Sequence, residues 1–397
     1  MSRTRETGKT NRIYFACRYI VLAVLAASLL AYPMPPARAA DDFQEEINIG
    51  REAAEQVAKE SKFIDDPVLV KRVESIGKAI SKVAGENEVP ATYGKATVAR
   101  FDYSFKIVDD DEINAFALPG GFVYVTDGLL NYVQSDDELA GIIAHEIAHV
   151  SHHHAMQLMK SQQKEMTKLA LAMLLGVAAG AGTGDVGDLA YVLTLISVAK
   201  LSAYGQKAES DADRTAVAYL ADTPYNPVGM LTAMERFARD EARRPQINYS
   251  IFATHPPSRE RARGIIEEIN KLGIPINRRL VTAYARVQVR PVQDSQASAV
   301  WIADTEVIRL ADSGGERAAA RAERVAAKLS SLLLAGARIH DVKIGGGGQY
   351  VVLMGNVLIS PTPEDVALAG SSVSAVTASA ANAIKKALVK ELLEQKY

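Results

Sequence analysis

Two histidines separated by four positions enclose a glutamate in the pentad His145-Glu146-Ile147-Ala148-His149. The apolar neighbours of the pentad predict a helix. Ser135 and the acidic residues after it can form the start of this helix, and we expect it to extend to about Met159. Four residues of a helix turn through about 400°, so the two imidazoles project from one face. Neutral imidazole nitrogens at this spacing can bind one zinc ion, and Glu146 can then act as general base.

A catalytic zinc site also needs a third protein ligand and an open fourth position. The only cysteine, Cys17, lies in a segment that we expect to be removed, so the third ligand must be His, Asp or Glu. Glu209 opens a predicted helix about 60 residues downstream, and Asp213 follows one turn later. Asp213 can accept a hydrogen bond from a ligand imidazole. The alternative is that these acids only stabilise the N-terminus of their helix.

Residues 1–39 have the layout of a secretory signal peptide. A basic segment precedes an apolar run from Tyr19 to Tyr32, and the small-residue triplet Ala37-Arg38-Ala39 follows. We therefore expect cleavage before Ala40 and a location in the periplasm of a bacterial cell envelope. An uncleaved membrane anchor is the alternative, although the apolar run is short for a bilayer span of about 20 residues.

The composition is that of a globular protein, with 48% hydrophobic and 23% charged residues among 397. Removal of residues 1–39 takes away six basic residues and one acidic residue, which leaves 39 basic against 46 acidic residues. This acidic excess argues against nucleic acid as a partner. Without Cys17, no thiol remains for a disulfide or a cysteine zinc site.

The pattern of elements predicts an α+β protein: a mainly helical first domain with a small sheet, then a smaller C-terminal α+β accessory domain. The first domain is expected over residues 40–275, a linker over 276–296 and the accessory domain over 297–397. Residues 168–203 predict an apolar helical hairpin whose halves are each too short to span a bilayer. It is either a buried core or dimer contact, or a lid that faces membrane or substrate.

Four motifs, in order along the chain, resemble those of one peptidase family. They are Asn114-Ala115-Phe116-Ala117-Leu118-Pro119-Gly120-Gly121, the pentad, the Glu209/Asp213 pair and Thr254-His255-Pro256-Pro257. Together they resemble the gluzincin zinc metallopeptidases, and within these the group of the HtpX heat-shock peptidases, the CAAX prenyl endopeptidases and their secreted periplasmic relatives. The resemblance covers about residues 42–270 and implies that the first domain is a zincin-type metallopeptidase domain.

The resemblance implies roles for individual residues. His145, His149 and Glu209 would bind zinc, and Glu146 would be the catalytic acid/base. The strand after Pro119-Gly120-Gly121 would be a sheet edge that pairs with an extended substrate. The substrate-binding residues on this view are Asn114, Gly120, Gly121 and Phe122.

The sequence leaves the roles of several other residues undecided or gives them no role in metal binding. His255 can stabilise the oxyanion, act as a fourth zinc ligand that keeps the enzyme latent, or cap the helix beginning near Ser258. The run 152–154 of three histidines is interpreted as an exposed polar helix end, with one histidine packed near the site as the alternative. Gln206 and Asp211 depart from the residues usual in the family, but both lie outside the expected ligand set.

These observations predict a zinc endopeptidase of the cell envelope that acts in protein quality control. Because pairing with an edge strand requires an extended chain, the expected substrates are unfolded or misassembled envelope proteins. The membrane or the outer-membrane assembly machinery is a further expected partner. One alternative is an envelope chaperone or assembly factor with latent or minor protease activity; another is a membrane-anchored housekeeping peptidase.

Overall fold

The computed structural model describes residues 39–94, 101–178, 205–243, 255–256, 259–283 and 286–395, with side chains except at 39–42, 168–178 and 394–395. The chain divides into two compact units. The first contains the described residues up to Leu231 and those between Arg244 and Ile274, and the second contains Thr232–Arg243 and those from Pro275 onward. The predicted α+β class is confirmed. Most of the predicted apolar hairpin lies outside the described residues.

The first unit combines helices with one small sheet. We label the elements in chain order among the described residues. They are α1 (Ala39–Glu60), β1 (Phe63–Ile64), α2 (Pro67–Glu86), β2 (Ser104–Val108), β3 (Ala115–Leu118), β4 (Phe122–Thr126), α3 (Asp127–Tyr132), α4 (Asp136–Ser151), α5 (His154–Ala178), α6 (205–221), the start of α7 (Val228–Arg243) and α8 (Arg259–Lys271).

The sheet has the strand order β1-β2-β4-β3. β4 pairs in parallel with β2 and antiparallel with β3, so β4 lies inside the sheet and β3 is an edge among the described strands. The prediction that the strand after Pro119-Gly120-Gly121 is the edge is therefore wrong. After the turn at 119–121 the chain enters the sheet between β3 and β2, so the strand before the turn, and not the one after it, lies at an edge.

The two glycines of this turn have a packing role. Both have positive φ, and a Cβ at Gly120 would lie 2.9 Å from Ile47 Cα on α1. A Cβ at Gly121 would lie 3.1 Å from Phe101 Cβ. Only glycine combines this conformation with such close approach. Gly120 thus allows α1 to pack against the turn, and Gly121 allows Phe101 to do so.

Helix α4, which carries the pentad, begins as the sequence predicts. The Ser135 side chain caps it by accepting a hydrogen bond from Glu138 N, and three acidic residues occupy the first turn. The helix ends at Ser151 instead of continuing to Met159, because His153 adopts the left-handed conformation with φ of 57°. A new helix, α5, then starts at His154. This break redirects the side chains of the three consecutive histidines.

The second unit contains two three-stranded antiparallel meanders and three helices after residue 286. One sheet has the order β5-β6-β7 and the other β10-β9-β8. A buried pair joins Arg321 to Asp365 through two hydrogen bonds of 2.8 and 2.6 Å. The elements are β5 (Val287–Pro291), β6 (Ser298–Ile302), β7 (Thr305–Leu310), α9 (Ala318–Leu334), β8 (Val342–Gly345), β9 (Tyr350–Leu353), β10 (Asn356–Ile359), α10 (Pro363–Ala369) and α11 (Val373–Gln395).

Strand β5 lies in the stretch for which the sequence predicts a linker. It pairs with β6 from Val287 to Pro291, and Pro291 occupies the end of the strand, where a missing N–H is tolerated. The hairpin predicted over 350–360 and the helix predicted from Val373 are present. Among the helices in the described part of the chain, none is long and apolar enough to span a membrane.

Candidate metal centre

Three potential ligand side chains from two helices converge in the first unit. Nε2 of His145 and Nε2 of His149 are 3.0 Å apart. Glu209 lies 3.3 Å from each, through Oε2 to His145 and through Oε1 to His149. Two ligands of one tetrahedral zinc ion at about 2.1 Å would be about 3.4 Å apart. The donor types and their separations therefore fit a divalent metal bound at this point.

The local structure explains why these three side chains meet. His145 and His149 share one face of α4, as their spacing predicts. Glu209 lies in the second turn of α6 and is 9% exposed. This position argues against the alternative that it only stabilises the N-terminus of its helix. An unpaired carboxylate at this depth would be costly, whereas ligand imidazoles and a cation compensate it. The structure thus brings together the three residues predicted as metal ligands.

Asp213 and Arg261 support this cluster from the side of α6 and α8. Asp213 Oδ1 lies 3.0 Å from His145 Nδ1, at an angle outside ordinary hydrogen-bond geometry. Arg261 donates two hydrogen bonds of 2.7 Å to Asp213 and lies 2.8 Å from Glu209 Oε2. A bidentate guanidinium fixes carboxylates in orientation as well as in charge. Arg261 is not among the residues predicted from the sequence, although its position shortly after His255-Pro256 is a usable signal.

The charges around the ligands shift their protonation equilibria. Burial lowers the pKa of His149 to about 3, which favours the neutral imidazole. For His145 the opposing effect of burial is outweighed by Asp213 and Glu209, which raise its pKa to about 9. Despite burial, the electrostatic interactions with His255, His149 and Arg261 hold the pKa of Glu209 well below its usual range. A cation at this point would replace the proton that His145 otherwise holds.

Glu146 lies beside the edge strand of the sheet. Its side chain is buried, with the residue 2% exposed, and it accepts a hydrogen bond from the backbone N–H of Ala117 in β3. Burial raises the pKa of Glu146, and the neighbouring His255 and His145 partly oppose that shift. A carboxylate with a raised pKa holds a proton more readily than an ordinary one, which suits a group that takes up and returns a proton. The contact with Ala117 places this group next to the strand that an extended peptide can join.

His255 lies within the ligand cluster. Its Nδ1 is 3.3 Å from His145 Nε2 and 3.0 Å from Glu209 Oε1, and its Nε2 is 3.5 Å from Glu146 Oε1. These separations match those between the three predicted ligands. The rest of the motif, Thr254 and Pro257, lies outside the described residues. His255 is therefore positioned to contact both a bound metal and the general base.

The interpretation of residues 152–154 as an exposed helix end is wrong. His152, His153 and His154 are 2%, 9% and 3% exposed. His153 Nδ1 lies 2.5 Å from Glu46 of α1, whereas His152 and His154 both contact Asp211 of α6. Partners from α1 and α6 satisfy these rings, and such tertiary contacts are not visible in a local helical pattern.

The residues predicted to bind substrate occupy different environments. Asn114 precedes β3, where its backbone N–H donates to Thr126 Oγ1, and its Oδ1 is buried without a hydrogen-bond partner among the described residues. Gly120 and Gly121 lie against α1 and Phe101, and Phe122 begins the interior strand β4. In the described structure, the backbone of Ala117 links this region directly to the cluster through Glu146.

Two histidines on one helix with a glutamate between them, together with a carboxylate from a second helix, form the arrangement of a metallopeptidase site of the gluzincin type. The model for Peptidase family M48 matches residues 71–269, about half of the chain, and this range contains every residue of the cluster. The chain belongs to this family. Family membership implies a divalent metal at the cluster described above.

Curated relatives share part of this chain. The beta-barrel assembly-enhancing protease of Escherichia coli is 27% identical over 213 residues, which are 53% of this chain and 41% of the relative. The putative beta-barrel assembly-enhancing protease of Vibrio cholerae is 31% identical over 258 residues, 61% of this chain and 49% of the relative. The metalloprotease YcaL of Escherichia coli is 29% identical over 167 residues, 42% of this chain and 62% of the relative. The chain thus spans less than half the length of the first two relatives.

Proposed function

We propose that this protein is a zinc-dependent endopeptidase of the bacterial cell envelope that cleaves extended or misfolded proteins. His145, His149 and Glu209 would hold the zinc ion, and Glu146 would be the general acid/base. The observation that carries the proposal is the position of Glu146, which lies beside the convergent ligand atoms and accepts a hydrogen bond from Ala117 of the edge strand. The candidate metal ligands, the proposed base and the strand that could bind an extended peptide thus lie next to one another.

The chemistry follows from the chain's own groups. When bound, zinc would supply a Lewis acid that polarises the scissile carbonyl and activates a water molecule. Glu146 would take a proton from the attacking water and return it to the leaving amine. Arg261 and Asp213 would hold Glu209 and His145 in position through the charge contacts described above. Unpaired backbone groups of β3 would bind the peptide in extended form.

Relatives named as proteases that enhance β-barrel assembly suggest the kind of substrate. We propose unfolded or misassembled outer-membrane proteins as substrates, with location in the periplasm, where residues 1–39 would direct the chain. A contact with outer-membrane assembly machinery or with the membrane is part of the same proposal. The similarity in sequence to E. coli and V. cholerae proteins of that name supports it.

The proposed preference for extended chains has a direct test. We expect an outer-membrane β-barrel protein to be cut when it is held unfolded in dilute urea and to resist when it is folded in detergent micelles. The physical reason is that a barrel offers no free strand to pair with β3. Fragments are followed by mass spectrometry at the same urea concentration in both samples, and casein hydrolysis in the same detergent is the control for inhibition of the enzyme by detergent. Equal cleavage of both forms would contradict this preference.

His255 favours a second state, in which the protein is latent. Its Nδ1 lies as close to His145 and Glu209 as the predicted ligands lie to one another, so it is placed to be a fourth ligand. A catalytic site needs that position open to water. Of the three roles considered for His255, we propose the latency ligand for the described conformation. This geometry also supports the alternative of an assembly factor whose protease activity is kept low.

Substitution His255→Ala is expected to raise casein hydrolysis by roughly 10-fold, because the fraction of molecules with an open position increases. His340→Ala is the matched control, since His340 has an exposed side chain in the second unit. Initial rates are compared at equal zinc content. A loss of hydrolysis in His255→Ala would instead assign His255 to stabilisation of the oxyanion.

A further inference from the structure

A second buried cluster lies directly behind the ligand His149. It consists of His152, His154 and Asp211, which are 2%, 3% and 0% exposed. None of these three side chains has a part in the chemistry proposed above. Buried polar groups of this kind are costly unless hydrogen bonds satisfy them. The partners of each nitrogen and oxygen therefore indicate what the cluster does.

His154 connects this cluster to the ligand set. Its Nδ1 lies 3.0 Å from Nδ1 of His149, while Nε2 of His149 faces the other ligand atoms. A neutral imidazole has one N–H, so an Nε2 that binds a metal leaves the proton on Nδ1. His149 Nδ1 must then donate, and His154 Nδ1 must accept. This assignment leaves the proton of His154 on Nε2.

The other ring nitrogen of His154, Nε2, has only hydrogen-bond acceptors among the contacts described. Its Nε2 lies 3.1 Å from Asp211 Oδ2 and 3.1 Å from the carbonyl oxygen of Tyr93. Every nitrogen of the two rings thus meets a partner of the complementary kind. The order is metal site, His149, His154 and Asp211, with each donor pointing away from the metal.

Asp211 is itself held by the segment that follows α2. Its Oδ1 accepts hydrogen bonds from the hydroxyl of Thr92 at 2.7 Å, from the backbone N–H of Thr92 and from that of Tyr93 at 3.3 Å. Gly94 lies against the same histidines, since a Cβ there would be 2.2 Å from the carbonyl oxygen of His152. The carboxylate is therefore fixed from two sides.

The same three side chains could in principle hold a second metal ion, because their donor atoms lie close together. The contacts argue against it. His152 Nδ1 and Asp211 Oδ2 contact each other directly at hydrogen-bond distance, whereas two ligands of one zinc ion would be about 3.4 Å apart. His152 Nε2 is also engaged, at 3.0 Å from the carbonyl oxygen of Val89. The cluster is built as a hydrogen-bond network.

We propose that His154 and Asp211 are positioning residues that fix the ring orientation and tautomer of His149, so that Nε2 is presented to the metal. The inference rests on the proposed metal site. It gives His149 a hydrogen-bonded partner, His154, that is itself held by a carboxylate. It also makes metal affinity depend on the segment 92–94, which holds Asp211.

Two variants of His154 separate this role from simple packing. His154→Phe keeps a ring of similar size but removes the acceptor, whereas His154→Asn keeps an acceptor near the position of Nδ1 and removes the ring. We expect the Phe variant to bind zinc about 10- to 100-fold more weakly than the wild type, and the Asn variant to stay within a few-fold of it. A packing role predicts the reverse order.

The measurement is the zinc dissociation constant of the full chain by competition with a chromogenic chelator, together with the visible absorption of the cobalt-substituted protein. His153→Asn is the matched control, because His153 contacts Glu46 and Asn tolerates positive φ. Its zinc affinity should equal that of the wild type. Should His154→Phe not fold, Asp211→Asn tests the next group in the relay, with zinc binding again expected to weaken about 10-fold or more.

Each result decides between the inferences. Wild-type affinity in a folded His154→Phe or Asp211→Asn protein, or a second zinc ion per chain lost with either variant, would overturn the relay while leaving the peptidase proposal intact. Absence of zinc from the wild-type protein would overturn the proposed function, and the relay with it.

Discussion

Substitution Glu146→Gln is expected to lower peptide hydrolysis by about 10²- to 10⁴-fold while leaving zinc content unchanged. The amide has nearly the same shape and can keep a hydrogen bond in the buried position beside Ala117, but it cannot take a proton from water. Burial raises the pKa of Glu146, which suits a group that must both accept and return a proton. Casein hydrolysis and zinc analysis on the same preparation measure both quantities.

Glu260→Gln is the control for this change, because it makes the same chemical substitution at an exposed position of α8. It should hydrolyse casein at the wild-type rate. Hydrolysis by Glu146→Gln at that rate, with zinc present, would mean that another group is the base. Loss of zinc from Glu146→Gln would mean that Glu146 contributes to metal binding.

Substitution Glu209→Gln is expected to weaken zinc binding by at least about 100-fold, more than the loss of a hydrogen-bonding partner of a ligand usually costs. It removes the carboxylate charge that lies 3.3 Å from both His145 and His149. The substitution also removes one of the two carboxylates that face Arg261 in the contacts described above, and Asp213 remains. The positive charge of Arg261 is then less well compensated, which further disfavours a cation at the site. Zinc retained after dialysis against a chelator is the measurement.

Glu267→Gln, on the exposed face of α8, is the matched control and should retain its zinc. If Glu209→Gln kept zinc as firmly as this control, the third ligand would have to be His255, whose Nδ1 lies in the same cluster. The double substitution with His255→Ala would then be the variant that loses metal.

Local sequence patterns predicted the elements that carry the metal site. The Ser135 cap, the acidic first turn and the spacing of His145 and His149 are local features, and the structure has each of them. The hairpin around Gly355 is local in the same way. Patterns of this kind depend on a few neighbouring residues, so they can be interpreted without knowledge of the fold.

The errors concern contacts between distant parts of the chain. Whether the strand before or after the turn at 119–121 is the edge depends on the parallel pairing of β4 with β2, which no local pattern encodes. The burial of His152 and His154 depends on Asp211, which lies on another helix, and on a left-handed residue at position 153. Strand β5 was missed because Pro291 and polar neighbours resemble a linker when its partner β6 is unknown.

The role of Asp211 shows the same limit at the site itself. As a departure from the family's usual residue it appeared peripheral, yet it is fully buried and holds both Thr92 and His154. Thr92 is far from Asp211 in sequence, so only the folded structure relates them. The candidate ligand set can be predicted from local sequence motifs, whereas the contacts between Asp211, Thr92 and His154 require the fold.

The most direct test of the central claim is the zinc content of the purified wild-type protein, measured by native mass spectrometry before and after removal of metal with a chelator. The account predicts one zinc ion per chain, and casein hydrolysis that disappears with the ion and returns when zinc is added. A protein that is folded, cleaves casein and holds no metal in this experiment would contradict the assignment of His145, His149 and Glu209 as the metal ligands.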